Sequence, residues 1–443
     1  MSLRKLLAVT ILLSVLLGAG IYSFPGYVKY IRDNQENLGY DFFYIYSTIR
    51  ALNDGCPNIY ESAEIHEFVN KLSNGKWSII GDRHAPPYFV LCMPFAFFSF
   101  TTGYHLIVIS SFIMYVIAVT VLVFYLIEDR RASALTAIMI AVYTLFCSTG
   151  VDNIFLGQVG FILTFLLIMT FYFGERERWW LCGFFLALAI IIKMHPLLLL
   201  FYYGIRRNYR VLVSCPAFLL LFSLLSGVLW GFQRYAQYVV YLSHDLAGRK
   251  SYVYAYAYTM EQSADWHPES LIGWLASAFR YNISLTELKI LYVVLFVLLL
   301  YVMLRISQEA GVKSGRRINA LEFSMYMMAS LVFTPFSFSH SHIIVMIPFI
   351  TFIALYLRGE LSGKAAAPLL GILSFMGVFW ILDGNLRTRD WILDLHYRYK
   401  YLGFSLYSLL LIYLFTIMLF FIHSKKRNDV GAPAVKKHHE SKQ

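Results

Sequence analysis

Apolar runs of about twenty residues recur along this chain, the length that carries an α-helix across a hydrocarbon core. Such runs leave little choice of fold. Inside a bilayer each backbone N–H and C=O needs a partner from the protein, and a single run of that length finds them only as a helix. Barrel strands would be about half as long and would alternate apolar with polar residues; these runs do not alternate. The rest of the composition agrees, with 59% of the 443 residues hydrophobic and 14% charged, where a soluble domain carries about a quarter charged. The chain reads as an all-α polytopic membrane protein.

Length and hydropathy predict about twelve spans, at 6–24, 105–127, 133–148, 154–173, 180–193, 196–204, 211–231, 285–305, 319–336, 341–357, 366–382 and 402–423. The fifth and sixth are short and meet at Lys193-Met194-His195-Pro196, so they read as a bent pair. The apolar stretch 86–100 is broken by Pro94 and reads as a helix lying at the interface. Charge supports that choice. With 86–100 kept outside, Arg4/Lys5, Arg130/Arg131, Arg176/Arg178, Arg206/Arg207/Arg210, Arg305/Lys313/Arg316/Arg317, Arg358/Lys364 and Lys425/Lys426/Arg427 all fall on the cytoplasmic side, as the positive-inside rule expects. Counting it as a span would send Arg130/Arg131 outward. The first run follows Arg4 and Lys5 without a small-x-small cleavage site, and is expected to stay as an uncleaved span.

The expected organisation is one integral-membrane unit, 1–423, with three outward regions at 25–100, 232–284 and 384–401. A polar tail at 424–443 is expected to be disordered on the cytoplasmic side. Both termini are then cytoplasmic, in a bacterial-type plasma (inner) membrane. The net charge of +11 sits in short loops between apolar runs and not on a basic face, so it argues for topology and against a nucleic-acid partner. The five cysteines lie mostly in or beside apolar runs, and only Cys56 falls in the first long polar loop; no disulfide framework is expected. No Walker A lysine loop and no Gly-x-Gly-x-x-Gly after a strand is present, so a nucleotide-bound donor has no visible site.

Ionisable groups in such a chain are costly and point to function. The polar stretch after the first span opens on Tyr40-Asp41-Phe42-Phe43-Tyr44 and closes on Arg83-His84-Ala85-Pro86-Pro87-Tyr88. A carboxylate there, at the outer surface, can take the proton of a sugar or lipid hydroxyl. Asp152-Asn153 stands before Gly157-Gln158, and either orients a sugar or caps the fourth helix. Lys193 ends an apolar run; it either snorkels to the interface or meets a lipid phosphate, with His195 beside it. His340 and His342 have no third outward ligand at a useful spacing for a metal, and phosphate or acceptor contact is preferred for them. Arg83 and His84 can meet phosphate too.

The order of these motifs resembles glycosyltransferase family 87. Asp41-Phe42, a following helix, Gly55 with Pro57 to Tyr60, and Pro86-Pro87 match the family's opening region; Ala85 stands where the family has an aromatic residue. Gly157-Gln158 is similar to the family's Gly-Gln, Lys193-Met194-His195-Pro196 to its Lys-x-x-Pro, and Thr334 to His342 to its Ser-Pro-x-Ser-Trp-x-His-His, with Ser341 here separating the two histidines. Pro268-Glu269-Ser270-Leu271 stands where the family has Asn-Gln-Ser-Leu. The resemblance covers about residues 38 to 350.

The resemblance implies a GT-C-type bundle of about twelve transmembrane helices with outward-facing loop helices, and a polyprenyl-phosphate-linked sugar as donor. It implies transfer of a hexose, mannose foremost, to an extracytoplasmic hydroxyl of a glycolipid or glycan with inversion, and Asp41 as the general base. The leaving group is a phosphate, so the site needs positive charge or hydrogen bonds there. Lys193, His195, His340, His342, Arg83, His84, Gln158 and Asp152 are the candidates for donor and substrate contact, and neither a metal nor another cofactor is expected. The competing reading is a lipid or glycolipid transporter or flippase. It would place polar groups mid-span on broken helices, whereas here they cluster in outer loops and at helix ends. A non-catalytic assembly protein would not require that concentration of polar groups.

Overall fold

The computed structural model describes residues 3–60, 62–77, 84–246, 285–310, 315–333, 339–361 and 404–431. Every regular element among them is helical. Arg83, most of the second outward region, the span expected at 366–382 and the whole of the third outward region lie outside the described residues.

The first helix, α1 (Leu3–Asp33), runs through Pro25 and nine residues past the end expected at 24. Three short helices follow, α2 (Tyr40–Asn53), α3 (Ala63–Leu72) and α4 (Pro86–Ala96). The Ser62 side chain caps α3 by accepting from the Ile65 N–H at 3.2 Å. Ala85 is extended before Pro86, and the two prolines open α4 at positions where their missing N–H costs nothing. At 11 residues, about 16 Å long, α4 is too short to cross a hydrocarbon core.

The long helix α5 (Phe100–Leu126) starts on a Ser99 cap, and α6 (Arg130–Phe146) on an Asp129 cap that accepts two backbone N–H groups at 3.0 Å. Then come α7 (Ser148–Leu156), α8 (Gly160–Glu175), α9 (Trp179–Ile192), a 3-10 turn at His195–Leu198, and α10 (Leu199–Ile205). The order continues with α11 (Tyr209–Trp230), α12 (Gln233–Leu246), α13 (Leu285–Ala310), α14 (Arg316–Val332), a 3-10 turn at Ser339–Val345, α15 (Met346–Arg358) and α16 (Phe404–Gly431).

Five helices among the described residues are long and apolar enough to cross a membrane, or six if α6 and α7, bent by 61°, count as one. The expected number was about twelve, and part of the difference has a physical cause. The apolar sequence between 154 and 205 does not form three full spans; it breaks at Gly157 and again at Lys193. Its pieces α8, α9 and α10 are 16, 14 and 7 residues long. The segment Ser341–Arg358 has 89% of its apolar window buried and Ile290–Gln308 only 11%, so among the described residues the former lies inside the bundle and the latter on its perimeter.

Residues 179–205 form a hairpin. Tyr203, late in α10, comes back to Thr170 of α8, whose carbonyl its hydroxyl bonds at 3.2 Å, and to Cys182, early in α9. Lys193 stands at the tip. The hairpin packs against α8, α11 and α14. At its base Arg206 donates to Glu322 and to Asn319 of α14, and Asn319 donates onward to Glu175. Close by, Arg317 pairs with Glu360, and Glu128 with Arg358. One end of the bundle is therefore closed by a charged network, and the opposite end holds the helix breaks.

Candidate functional site

Asp41 owes its position to two glycines. Gly39, with φ +73°, turns the chain into α2, so that Asp41 falls in the helix's first turn, where the helix dipole favours a carboxylate. Gly157, with φ +69°, ends α7 and releases Gln158 toward α2. Both sit where the left-handed backbone and the space forbid a side chain. A Cβ at Gly157 would lie 2.7 Å from that of Phe42, and one at Gly39 would lie 2.9 Å from the Tyr104 ring. The two turns are tied together. The Gly39 N–H donates to the Phe155 carbonyl at 2.8 Å, and the Tyr104 hydroxyl to the Ile154 carbonyl at 2.7 Å.

Behind Asp41, Phe42 and Phe43 are buried against Phe100, Tyr104 and Trp77. Burial of each ring stabilises this face of α2 by about 1.5–3 kcal/mol, and fixes the start of the helix against α5. With that support, the Gln158 amide donates to the Asp41 carboxylate. The hydrogen bond joins residues 117 positions apart and leaves the half-buried carboxylate with capacity for a further donor.

Lys193 follows the last turn of α9 in extended conformation. Its Nζ donates to Ser341 Oγ at 2.7 Å, and its ammonium is within electrostatic reach of Asp41. The Ser339–Val345 turn that carries Ser341 packs on α7 and α8, so it closes the same corner that Gly157 opens. Two residues past Lys193, His195 Nδ1 meets Ser330 Oγ of α14 at 3.0 Å; His195 Nε2 is buried with no hydrogen-bond partner among the described residues. The structure thus brings Asp41, Gln158, Lys193 and His195 toward one end of the bundle from three separate stretches of chain.

The other expected residues stand differently. Asp152 is buried on α7, just past the α6–α7 bend. Its neighbour Asn153 carries the cap: Asn153 Oδ1 accepts from the Gly160 N–H at 2.9 Å, and its Nδ2 donates to the Thr149 carbonyl at 2.7 Å. Of the two readings of the Asp152-Asn153 pair, the capping one is therefore observed, on Asn153. His342 is buried, 1% exposed, within the Ser339–Val345 turn; the side chain of His340, like all of Arg83, lies outside the described residues. His84 stacks on Tyr88 with ring centroids 3.9 Å apart, and its carbonyl accepts from the Tyr60 hydroxyl at 3.0 Å. It belongs to the packing of α4 against the first polar loop.

Sequence reasoning passed over Ser341, Ser330 and Tyr104. Ser341 looked like a spacer between two histidines, and its lysine is 148 residues away. No group of three or more His, Cys, Asp or Glu side chains among the described residues could hold a metal ion.

The groups assembled here suit proton transfer and anion contact. A carboxylate oriented by an amide can accept a proton, and an ammonium nearby can meet a negatively charged leaving group. Comparison with curated proteins finds no match. The model of glycosyltransferase family 87, in contrast, matches residues 84–335, more than half of the chain. That stretch includes Gln158, Lys193, His195 and Ser330 within an all-helical bundle, and the protein is accordingly a membrane glycosyltransferase belonging to glycosyltransferase family 87.

Proposed function

We propose that the protein transfers a hexose, mannose foremost, from a polyprenyl-phosphate donor to an extracytoplasmic hydroxyl of a glycolipid or glycan, inverting the anomeric centre in one displacement. Asp41 is the general base. It takes the proton of the acceptor hydroxyl as that oxygen bonds to the anomeric carbon, and the electron pair of the breaking bond leaves with the polyprenyl phosphate. Lys193 offsets the charge on that phosphate. Gln158 orients the carboxylate and His195 lines the substrate side of the hairpin tip. The observation that carries this reading is an amide-held carboxylate, Asp41, with the Lys193 ammonium within electrostatic range of it, at the broken-helix end of an apolar bundle. A phosphate leaving group needs little protonation, so a base and a cation are the two groups the displacement calls for.

Asp41→Asn tests it, since the change removes basicity at nearly constant shape. Membranes carrying the wild-type protein, given labelled polyprenyl-phospho-mannose, should yield a labelled glycolipid or glycan. The Asp41→Asn protein, inserted at the same level, should lose about 10²–10⁴-fold in turnover, the usual contribution of a positioned base. Wild-type turnover in that variant would remove Asp41 from the mechanism.

A further inference from the structure

The lysine that meets the leaving phosphate in this reading is itself half-buried, in an irregular link at the hairpin tip. Residue 193 is extended, Met194 is 60% exposed, and the helix resumes only as a 3-10 turn at His195. A lysine has a flexible four-carbon stem and three rotatable donors. Left alone at such a tip its ammonium would sample many positions, and little of its charge would be aimed at one place. Two serines remove that freedom. Ser341, 2% exposed, takes the Lys193 ammonium at 2.7 Å. Ser330, 5% exposed, meets His195 Nδ1 at 3.0 Å and donates its own proton to the Met327 carbonyl at 2.6 Å. Because that hydroxyl proton is committed to a carbonyl, Nδ1 is the donor in the neutral ring, and Nε2 carries the free lone pair.

Both serines are held by elements that the hairpin does not control. Ser341 rides on the turn packed against α7 and α8, the two helices that Gly157 and Gln158 link. Ser330 lies on the α14 stripe Asn319, Glu322, Tyr326, Ser330, spaced three, four and four residues apart, which is one face of a helix. The first two of these take the hairpin's base through Arg206, and Tyr326 packs on Tyr202 between. We infer that Ser341 is a positioning residue for the transfer reaction, holding the Lys193 ammonium at the end of the bundle that carries Asp41, with Ser330 as the second anchor of the same tip. The inference rests on the proposed role of Lys193 at the donor phosphate.

The test uses the full-length protein in lipid nanodiscs and undecaprenyl phosphate as the probe. Ser341→Ala and the near-isosteric Ser341→Cys should each weaken binding about tenfold, the size of a hydrogen bond to a charged group, in protein that remains folded at the assay temperature. In a Lys193→Ala background Ser341→Ala should cause no further loss, because the serine acts only through the lysine. Wild-type binding in both single variants, or a loss that adds to that of Lys193→Ala, would overturn the assignment. A second readout needs no substrate: acetylation of Lys193 by an N-hydroxysuccinimide ester, followed by mass spectrometry. Ser341→Ala should raise the Lys193 rate several-fold relative to wild type, and an unchanged rate would also overturn it. If the wild-type protein fails to bind undecaprenyl phosphate, the functional reading falls, and the acetylation rates still decide whether Ser341 holds Lys193.

Discussion

The charged network at the hairpin base makes a quantitative demand on stability. Glu322 is 2% exposed and its partner Arg206 is 13% exposed. Arg206 Nε donates to Glu322 Oε2 at 3.1 Å, and Nη2 donates both to the same oxygen and to Asn319 Oδ1 at 2.8 Å. Glu322→Ala leaves the guanidinium with one neutral acceptor and a second carboxylate, Glu175, that it reaches only through space. Breaking a buried pair from one side costs about 3–5 kcal/mol; with Glu175 still acting and Arg206 partly exposed, the lower end, about 3 kcal/mol, is expected. The double replacement Arg206→Met with Glu322→Leu removes both charges and their desolvation together. Its cost should fall below that of Glu322→Ala by about 2 kcal/mol or more, since apolar side chains of similar volume replace buried pairs at little loss. Unfolding in mixed micelles, followed by tryptophan fluorescence, measures all the variants on one scale. A cost below about 1 kcal/mol for Glu322→Ala, or a double variant whose cost equals the sum of Arg206→Met and Glu322→Leu, would refute the idea that this end is held by mutual satisfaction of buried charge.

Other perturbations have equally definite outcomes. Gly157→Ala forces a Cβ into the Phe42 side chain at a left-handed backbone position; it should cost about 1–3 kcal/mol, and transferase activity should fall further than folded yield because Gln158 moves with the turn. Tyr104→Phe deletes the hydroxyl that reaches the Ile154 carbonyl and should destabilise by about 1 kcal/mol, read in the same unfolding assay. At the opposite end, a hydrogen bond from Arg358 foremost, with the charges of Arg358 and Arg317 adding to it, holds the Glu128 carboxyl below its ordinary value of 4.5. A lowered carboxyl pKa stabilises the fold above the unfolded-state value and ceases to do so as pH falls through the folded-state one. The small stability loss of Glu128→Gln measured at pH 7 should therefore fade between about pH 5 and the acid side of the ordinary carboxyl range; a loss that stays constant or grows on acidification would reject the pairing.

The helical membrane architecture was legible because apolar length is a direct physical signal, and Asp41, Gln158 and Lys193 were legible because polar groups stand out in an apolar chain. The prolines before α4 were equally plain, since the residue preceding a proline is driven to extended backbone. What stayed hidden has one cause in common. Within a run that is apolar all round, periodicity carries no information on where a helix stops, so the break at Gly157 fell inside an expected span, whereas the bend at Lys193 was legible because Lys193-Met194-His195-Pro196 interrupts the apolar run. The first span errs in the opposite sense: expected to end at 24, the helix runs on through Pro25 to Asp33, since neighbouring groups in a bundle tolerate the missing N–H. Ser341 and Ser330 bond to residues 148 and 135 positions away, and no local pattern marks a serine for such a partner.

The helix breaks also explain why the site is where it is. An unbroken helix satisfies its own backbone and offers a bilayer nothing polar, so chemistry on an ion or a hydroxyl has no place along its length. At a break the end groups are already in want of partners, and a polar side chain there adds little to a cost the fold already carries. Each residue of the candidate site occupies such a point: Asp41 in the first turn after a left-handed glycine, Gln158 after another, Lys193 in an extended link, and His195 and Ser341 in 3-10 turns. The opposite end supplies the stiffness this arrangement needs. There Arg206 and Glu322 tie the returning limb, α10, to α14, and the interrupted tip stands on a base held by buried charge. Loosening that base should therefore weaken phosphate binding at a lysine thirteen residues away in sequence, with no change to any group that touches the donor; wild-type undecaprenyl phosphate affinity in a folded Glu322→Ala protein would show instead that the tip is held by its serines alone.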